Sequence, residues 1–149
     1  MSENISYNLP LLIASDHAGM ELKQELIKHS QNLLWNDLGC FNKEKTDYPD
    51  WAEKLCKKLK NNMKAILICG TGQGMAIKAN RYSHVRAALC WDSKIAHLAR
   101  SHNNANVLCL PGRFINVKQA ISILTVFLTT PFDNKPSYER RVEKLNHPQ

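Results

Sequence analysis

The sequence contains no apolar run long enough to cross a lipid bilayer. A spanning helix needs about 20 consecutive apolar residues, whereas Leu9–Ala14 is short and Ala120–Leu128 is interrupted by Ser122 and Thr125. The mostly polar segment Met1–Asn8 also lacks the apolar stretch of an export signal. We therefore expect a cytoplasmic protein that binds no membrane.

The sequence also lacks cysteine pairs and metal-ligand spacings. Its five cysteines are an odd number, none forms a C-x-x-C pair, and no Cys or His spacing is typical of a zinc site. Unpaired thiols favour a reducing compartment, because exported proteins use most of their cysteines in disulfides. We expect buried free thiols, and no metal, at Cys40, Cys56, Cys69, Cys90 and Cys109.

No part of the chain is a long block of like charge. The net charge of +7, from 20 Lys and Arg against 13 Asp and Glu, is compatible with nucleic-acid binding or with the handling of small anions. The densest basic groups, Lys54–Lys60 and Arg140–Lys144, contain no aromatic residues for base stacking. We therefore expect small anionic ligands and no nucleic acid.

Short β-rich runs alternate with longer helical patterns, without internal repeats or linkers, which predicts a single domain over residues 1–149. The predicted strands are Leu9–Ser15, Leu33–Asp37, Lys64–Cys69, Val85–Cys90 and Asn106–Leu110. The predicted helices are Gly19–Ser30, Trp51–Lys60, Met75–Arg81, Asp92–Ser101, Val117–Leu128 and Tyr138–Leu145. Such alternation predicts an α/β fold, a five-stranded parallel sheet with helices on both faces.

Polar motifs lie close to the predicted strand ends, and ligands of open parallel sheets bind beyond the carboxyl ends. Asp16 and His17 follow the first strand directly. This pair can bind sugar hydroxyls and orient a proton shuttle. The alternative is that Asp16 only caps the helix that begins near Gly19.

A glycine loop, Cys69-Gly70-Thr71-Gly72-Gln73-Gly74, joins the most apolar strand to a helix. Glycines at alternate positions let the backbone approach an anion closely, and the helix start supplies unpaired N–H groups. The same surroundings favour the thiolate form of a cysteine. The loop has neither the Walker pattern nor the dinucleotide-binding glycine spacing. The alternative is a tight turn beside a core cysteine.

A third polar cluster, Ser101–Asn106, precedes the fifth strand. His102 in this cluster could exchange a proton near neutral pH, but an Asn-rich helix end and turn is an equally good interpretation. Arg113, after the fifth strand, is a candidate phosphate ligand. Tyr48 could close over a sugar, or could simply belong to a helix start at Pro49.

Together these motifs resemble the type B ribose-5-phosphate isomerase family, which includes the galactose-6-phosphate isomerase subunits. The similarity covers nearly the whole chain, and the order and spacing of the full set are more specific than any single motif. The motifs are Ala14–Gly19, Thr46–Pro49, Ile68–Gly74, Ala79-Asn80, His102-Asn103, Asn106-Val107 and Arg141-Val142.

The resemblance implies a Rossmann-like α/β/α sandwich and an isomerase of the pentose phosphate pathway that interconverts ribose 5-phosphate and ribulose 5-phosphate through an enediolate. It implies no cofactor and no metal. The resemblance assigns Cys69 as the base that moves a proton between C2 and C1, His102 as the group that opens the sugar ring, and Thr71 as a proton relay.

The resemblance also implies a homodimer, or a tetramer, whose sites are shared between two chains and whose C-terminal helix packs on the partner. One chain would supply Asp16, Cys69 and Arg141, and its neighbour His102, Asn103 and Arg113. The remaining residues implied to bind the substrate are His17, Tyr48, Gly70, Gly72, Gln73 and Gly74.

Three positions depart from the pattern of that family. Met75 stands where some members carry a glutamate base, which leaves Cys69 as the base here. Ser137 stands in place of a second phosphate-binding arginine, and Asn104 in place of a frequent acid. Two alternatives stay open: a six-carbon sugar-phosphate isomerase of galactose or allose type, and a nucleotide-binding module without chemistry of its own.

Overall fold

The computed structural model describes residues 4–147, so both ends of the predicted 1–149 domain lie outside the described residues. Its strands are Pro10–Ser15, Leu34–Asp37, Lys64–Cys69, Ala87–Leu89 and Val107–Pro111, numbered β1 to β5. Its helices are Met20–Lys28, Tyr48–Lys58, Gln73–Ala79, Ser93–Asn103, Val117–Thr129 and Pro136–Asn146, numbered α1 to α6.

The strands form one five-stranded sheet in the order β2-β1-β3-β5-β4, and every pair is parallel. Strand β3 lies at the centre, and every residue of it after Lys64 is buried. A continuous apolar run is typical of a strand that is covered on both faces. The predicted five-stranded parallel sheet is confirmed.

Side chains that alternate along the central strands fill two separate cores. Ile66 of β3 packs with Leu26 of α1 and Phe127 of α5 on one face. Its neighbour Leu67 packs with Leu55 of α2 on the other face, because successive residues of a strand point to opposite sides. The predicted arrangement of helices on both faces is confirmed.

Element boundaries differ from the prediction mainly at the polar ends. Helix α2 begins at Tyr48 rather than Trp51, with Pro49 in its first turn, where a missing N–H has no cost. Strand β4 is shorter than Val85–Cys90, because the Asn106 side chain accepts the N–H of Arg86 at 2.7 Å and ends the regular pairing there.

One lysine is completely buried on the inner face of α1. Lys23 is 0 % exposed, and its Nζ lies 2.6 Å from Asp37 Oδ1 and 2.8 Å from the Cys40 carbonyl oxygen. The Phe41 ring lies 4.8 Å from the same nitrogen. A buried ammonium needs such partners, and they join α1 to the chain that follows β2.

Candidate active site

The loops that follow β1, β3 and β5 are hydrogen-bonded to one another at the carboxyl edge of the sheet. The Asp16 N–H donates to the Ile68 carbonyl at 3.2 Å. The Gly112 N–H donates to the Cys69 carbonyl at 2.8 Å, and the Arg113 N–H to the Gly70 carbonyl at 3.0 Å. The three loops therefore form one continuous surface, as their positions after parallel strands predict.

The glycine loop brings a backbone N–H to the Cys69 sulfur. The Gly72 N–H donates to Cys69 Sγ at 3.2 Å, and Gly72 itself has a positive φ of 74°. A methyl group at Gly72 would meet Leu89 Cδ1 at 2.5 Å and the Leu110 carbonyl carbon at 3.0 Å. Both the conformation and the space at this position therefore require glycine.

Helix α3 begins at Gln73, directly after this turn. The Gln73 N–H donates to Thr71 Oγ1 at 3.3 Å, and the Thr71 side chain is exposed. The sequence predicts that this helix begins at Met75. In the structure Met75 lies inside α3, and its side chain is fully buried in the core. The positive φ of Gly72 reverses the chain quickly enough for the helix to start two residues earlier.

Cys56, Cys90 and Cys109 are poor candidates for ionisation, and all five cysteines are free and buried. Burial raises the pKa of Cys56 to about 11. Burial, together with Asp92, raises the pKa of Cys90 to about 12, and burial raises that of Cys109 well above its usual value. The predicted buried free thiols are confirmed, and Cys69 differs from these three by the N–H donated to its sulfur.

Asp16 and His17 are each oriented by one backbone N–H. Asp16 is 5 % exposed, and its Oδ1 accepts the Gly19 N–H at 3.0 Å, so the capping interpretation is correct for that oxygen. His17 Nδ1 accepts the Thr46 N–H at 3.2 Å. A neutral imidazole that accepts at Nδ1 carries its proton on Nε2, so His17 can donate from Nε2.

A cavity of about 590 Å³ opens between the loops after β1 and β5. His17, Lys43 and Arg113 line it, together with Glu21 and Glu25. The Arg113 guanidinium also approaches Gly70, since a methyl group there would lie 3.3 Å from Arg113 Nη1. His17 and Arg113 thus both line this cavity, and Arg113 also lies beside the glycine loop.

Tyr48 covers the start of α3 from the side of α2. A methyl group at Gly74 would overlap the Tyr48 ring, so glycine at this position lets the ring pack directly on the helix. The Tyr48 side chain keeps 41 % of its surface exposed, and it adds an aromatic edge and a hydroxyl to the carboxyl-edge surface.

His102 and Asn103 lie at the opposite, amino edge of the sheet. Helix α4 runs back from the end of β4 and finishes at Asn103, shortly before β5 begins at Val107. Asn104 follows in the left-handed conformation and its side chain accepts a hydrogen bond from Arg100, so the helix-end interpretation is correct for this residue. One chain therefore does not bring His102 to Cys69.

Arg141 belongs to the same edge as His102. It lies on α6, whose Asn146 side chain accepts from Arg86 at 3.0 Å just before β4. The predicted division of the arginines between two chains is therefore wrong. Arg113 lies beside Gly70, in the same chain as Cys69. Arg141 lies on the helix next to His102, because α6 packs against α4 and does not extend over the carboxyl edge.

Tyr138, which contacts His102, is a site residue that the prediction from sequence missed. The Tyr138 hydroxyl lies 3.2 Å from His102 Nε2, and the two ring centroids are 4.5 Å apart. The available signal was the spacing of Tyr138 and Arg141, three residues apart on a predicted helix and so on one face. His102, Tyr138 and Arg141 thus form a second polar surface, away from Cys69.

Within residues 4–147, no group of three or more His, Cys, Asp or Glu side chains is arranged to hold a metal ion. In the same part of the chain, no helix combines the length and the apolar character that a membrane crossing requires.

Comparisons with known proteins give a consistent result. The family model described as Ribose/Galactose Isomerase matches residues 11–145. The chain is 45% identical to a ribose 5-phosphate isomerase of Thermotoga maritima, with a TM-score of 0.90 over 94% of this chain and 99% of that one. The ribose-5-phosphate isomerase B of Mycoplasma genitalium, solved with bound ribulose-5-phosphate, is 40% identical, with a TM-score of 0.86 over 92% and 93%.

A curated relative from Listeria innocua, named ribose-5-P isomerase B, is 41% identical over 128 residues, which are 83% of this chain and 86% of that protein.

Proposed function

Because this chain belongs to the ribose/galactose isomerase family and is an aldose–ketose isomerase of ribose 5-phosphate and ribulose 5-phosphate, we propose that Cys69 is the base that moves the proton between C2 and C1. The observation that carries this proposal is the Gly72 N–H donated to Cys69 Sγ at 3.2 Å. A hydrogen bond to sulfur stabilises the thiolate more than the thiol, and the thiolate is the form that accepts a proton.

The same loop can stabilise the enediolate that forms when the C2 proton leaves. Negative charge then gathers on the oxygens of C1 and C2, and backbone N–H groups held in place before the reaction lower its energy without reorganising. Within Gly70–Gly74, we assign this role to the N–H groups of Gly70, Thr71 and Gly74, because Gly72 donates to Cys69 Sγ and Gln73 to Thr71 Oγ1. The exposed hydroxyl of Thr71 relays a proton between the two oxygens.

The remaining side chains of the carboxyl edge bind and orient the sugar phosphate. Asp16 Oδ2 forms no hydrogen bond within the described chain and is assigned to a sugar hydroxyl, and Tyr48 covers the sugar. Arg113 and His17, which both line the cavity, suit a phosphate, because guanidinium and imidazole N–H groups donate charge-assisted bonds to its oxygens. Binding energy from the phosphate then orients the reacting carbons.

The site is completed by a second copy of the chain. His102 and Asn103 lie at the amino edge, so within one chain they cannot reach a sugar held at Cys69. In a homodimer, the surface of His102, Asn103 and Arg141 would cover the carboxyl edge of the partner. His102 then opens the furanose ring, Asn103 binds a hydroxyl and Arg141 adds a charge to the phosphate site.

A tetramer built from two such dimers keeps the same sites, and in both assemblies α6 packs on the partner. The five free, buried thiols support a cytoplasmic location, where such thiols remain reduced.

Isomerisation in deuterium oxide tests the enediolate mechanism. A base that exchanges its proton with water before returning it delivers deuterium, so ribulose 5-phosphate formed from ribose 5-phosphate should carry deuterium at C1. Proton NMR of the product measures this, with sugar incubated without enzyme as the control. Complete retention of the substrate hydrogen would contradict a base that exchanges with water and would favour a direct hydride shift.

Replacing Arg113 by alanine should raise KM for ribose 5-phosphate by roughly 10- to 100-fold, because one charge-assisted phosphate contact is lost. Steady-state kinetics measure the effect. Lys118→Ala is the matched control, since it removes the same charge from an exposed position early in α5 that lies outside the cavity wall. An equal rise of KM in both variants would show that only net charge matters.

A further inference from the structure

A second cavity, of about 1050 Å³, lies at the amino edge of the sheet. The chain around the starts of β3, β4 and β5 lines it, through Lys64, Arg86 and Asn106. Along the five residues of β5, at roughly 3.3 Å per residue, the amino edge is separated from the carboxyl edge by more than 10 Å. This cavity, here called the amino-edge cleft, is therefore distinct from the site at Cys69.

Three cations line the amino-edge cleft without a carboxylate partner. Lys64 is half-buried, Arg86 is half-buried and Arg100 is 7 % exposed. None of them forms an ion pair within residues 4–147, and none of the described residues that line the cleft is acidic. Buried cations are usually paired with an opposite charge. We therefore expect an anion from outside the chain to pair with these three cations.

Backbone carbonyls compensate for only part of this charge. Lys64 Nζ donates to the Leu128 carbonyl at 3.2 Å and Arg100 Nε to the Thr130 carbonyl at 3.3 Å, both at the end of α5. Arg86 Nε donates to the Asn104 carbonyl at 2.9 Å, at the end of α4. Each helix end supplies about half a negative charge, so roughly two positive charges stay unbalanced.

The cations also destabilise one another. Burial and the charge of Arg100 lower the pKa of Lys64 to about 8. Burial and the charge of Arg86 lower the pKa of Arg100. Such mutual repulsion is relieved when an anion enters, and it agrees with the shortage of negative charge seen in the geometry.

The rest of the lining is rich in amides. Five asparagines line the cleft. Asn106 is engaged at both ends of its amide, by the Arg86 N–H and the His84 carbonyl, whereas Asn104 and Asn146 use only their oxygens, for Arg100 and Arg86. The remaining amide N–H groups can donate to hydroxyl oxygens. The described lining residues include no Phe, Tyr or Trp, and His84 supplies their one aromatic ring. The asparagines are Asn61, Asn62, Asn104, Asn106 and Asn146.

We propose that the amino-edge cleft is a second, non-catalytic binding site for a small phosphorylated polyol or sugar. Lys64, Arg86 and Arg100 bind the phosphate, and the asparagine side chains bind the hydroxyl groups. His102 and Arg141 do not line the cleft, and Asn146 is its one lining residue from α6, the helix assigned above to the partner contact.

The test is an NMR titration of the full-length 15N-labelled protein at pH 7 with glycerol 3-phosphate, inorganic phosphate, adenosine 5′-monophosphate and glycerol. The backbone amide signals of Asn104 and Asn106 should shift saturably with glycerol 3-phosphate, more weakly with inorganic phosphate and not with glycerol. Lys64→Met should raise the Kd at these signals by about tenfold, because one of three cations is lost.

Lys60→Met is the matched control, since it removes an exposed lysine nearby that does not line the cleft, and it should leave the Kd unchanged. Arg113→Ala should also leave it unchanged, which separates this site from the one at Cys69. Isomerase turnover of Lys64→Met without added ligand confirms that the variant is folded. Three results would overturn the proposal: shifts confined to Gly70–Gly74, an unchanged Kd in Lys64→Met, or tighter binding of the nucleotide.

Discussion

Replacing Cys69 by alanine should lower kcat for ribose 5-phosphate by about 10³-fold or more, with KM changed less than tenfold. General-base catalysis contributes about 10²- to 10⁴-fold, and the base removed here also carries the transfer of the proton from C2 to C1. Substrate binding should survive, because the phosphate is held by other side chains. Steady-state kinetics on purified protein measure both constants.

Two further variants make this result specific. Cys69→Ser keeps the approximate size of the side chain and a hydrogen-bond acceptor for Gly72. A serine hydroxyl is a far weaker acid than a thiol and supplies no anionic base near neutral pH, so this variant should be almost as inactive as alanine. Cys56→Ala is the control. It removes another buried thiol, on α2, and should keep normal turnover. Full activity of Cys69→Ser would mean that Cys69 only packs against the glycine loop.

Subunits that are each inactive should complement one another. A heterodimer of one Cys69→Ala chain and one His102→Ala chain contains one site with both residues intact and one site with neither. Coexpression with two different affinity tags isolates this species, and its kcat per dimer should be about half that of the wild type, since one site of two works. Each variant homodimer should remain inactive.

The reciprocal heterodimer distinguishes the two possible arrangements of the site. When a wild-type chain is paired with a chain that carries both Cys69→Ala and His102→Ala, every shared site lacks one of the two residues. A shared site predicts almost no activity for this species, whereas a site contained within one chain predicts half. The opposite positions of Cys69 and His102 at the two edges of the sheet are the reason to expect the first result.

The parts of the fold that depend on local pattern could be predicted from the sequence. The strand Lys64–Cys69 was predicted with its correct ends, because a continuous apolar run between polar residues has few alternatives. The sequence predicts only in part that Asp16, Cys69 and Arg113 of one chain lie close together. Parallel strands bring their ends together whatever the loops contain, but Arg113 was wrongly assigned to the neighbouring chain.

The rest depended on contacts between residues far apart in sequence. Nothing near Arg141 in the sequence shows that α6 folds back against α4, because α4 ends at Asn103, 38 residues earlier in the chain. The contact of Tyr138 with His102 and the burial of Lys23 have the same origin. A helical pattern alone predicts that a lysine lies at the surface. The distant partners Asp37 and Cys40, which make the burial of Lys23 possible, are seen only in the structure.

The buried ammonium of Lys23 also constrains how this sequence can change over evolutionary time. Losing Asp37 alone would leave a cation unpaired in the protein interior, at a cost of about 3–5 kcal/mol. Losing Lys23 alone would cost less, because the Asp37 carboxylate is 26% exposed and still accepts the Gly39 N–H. A joint exchange of both for apolar residues of similar size has no such penalty. The two positions are therefore expected to covary in descendants of this chain, either kept together or replaced together.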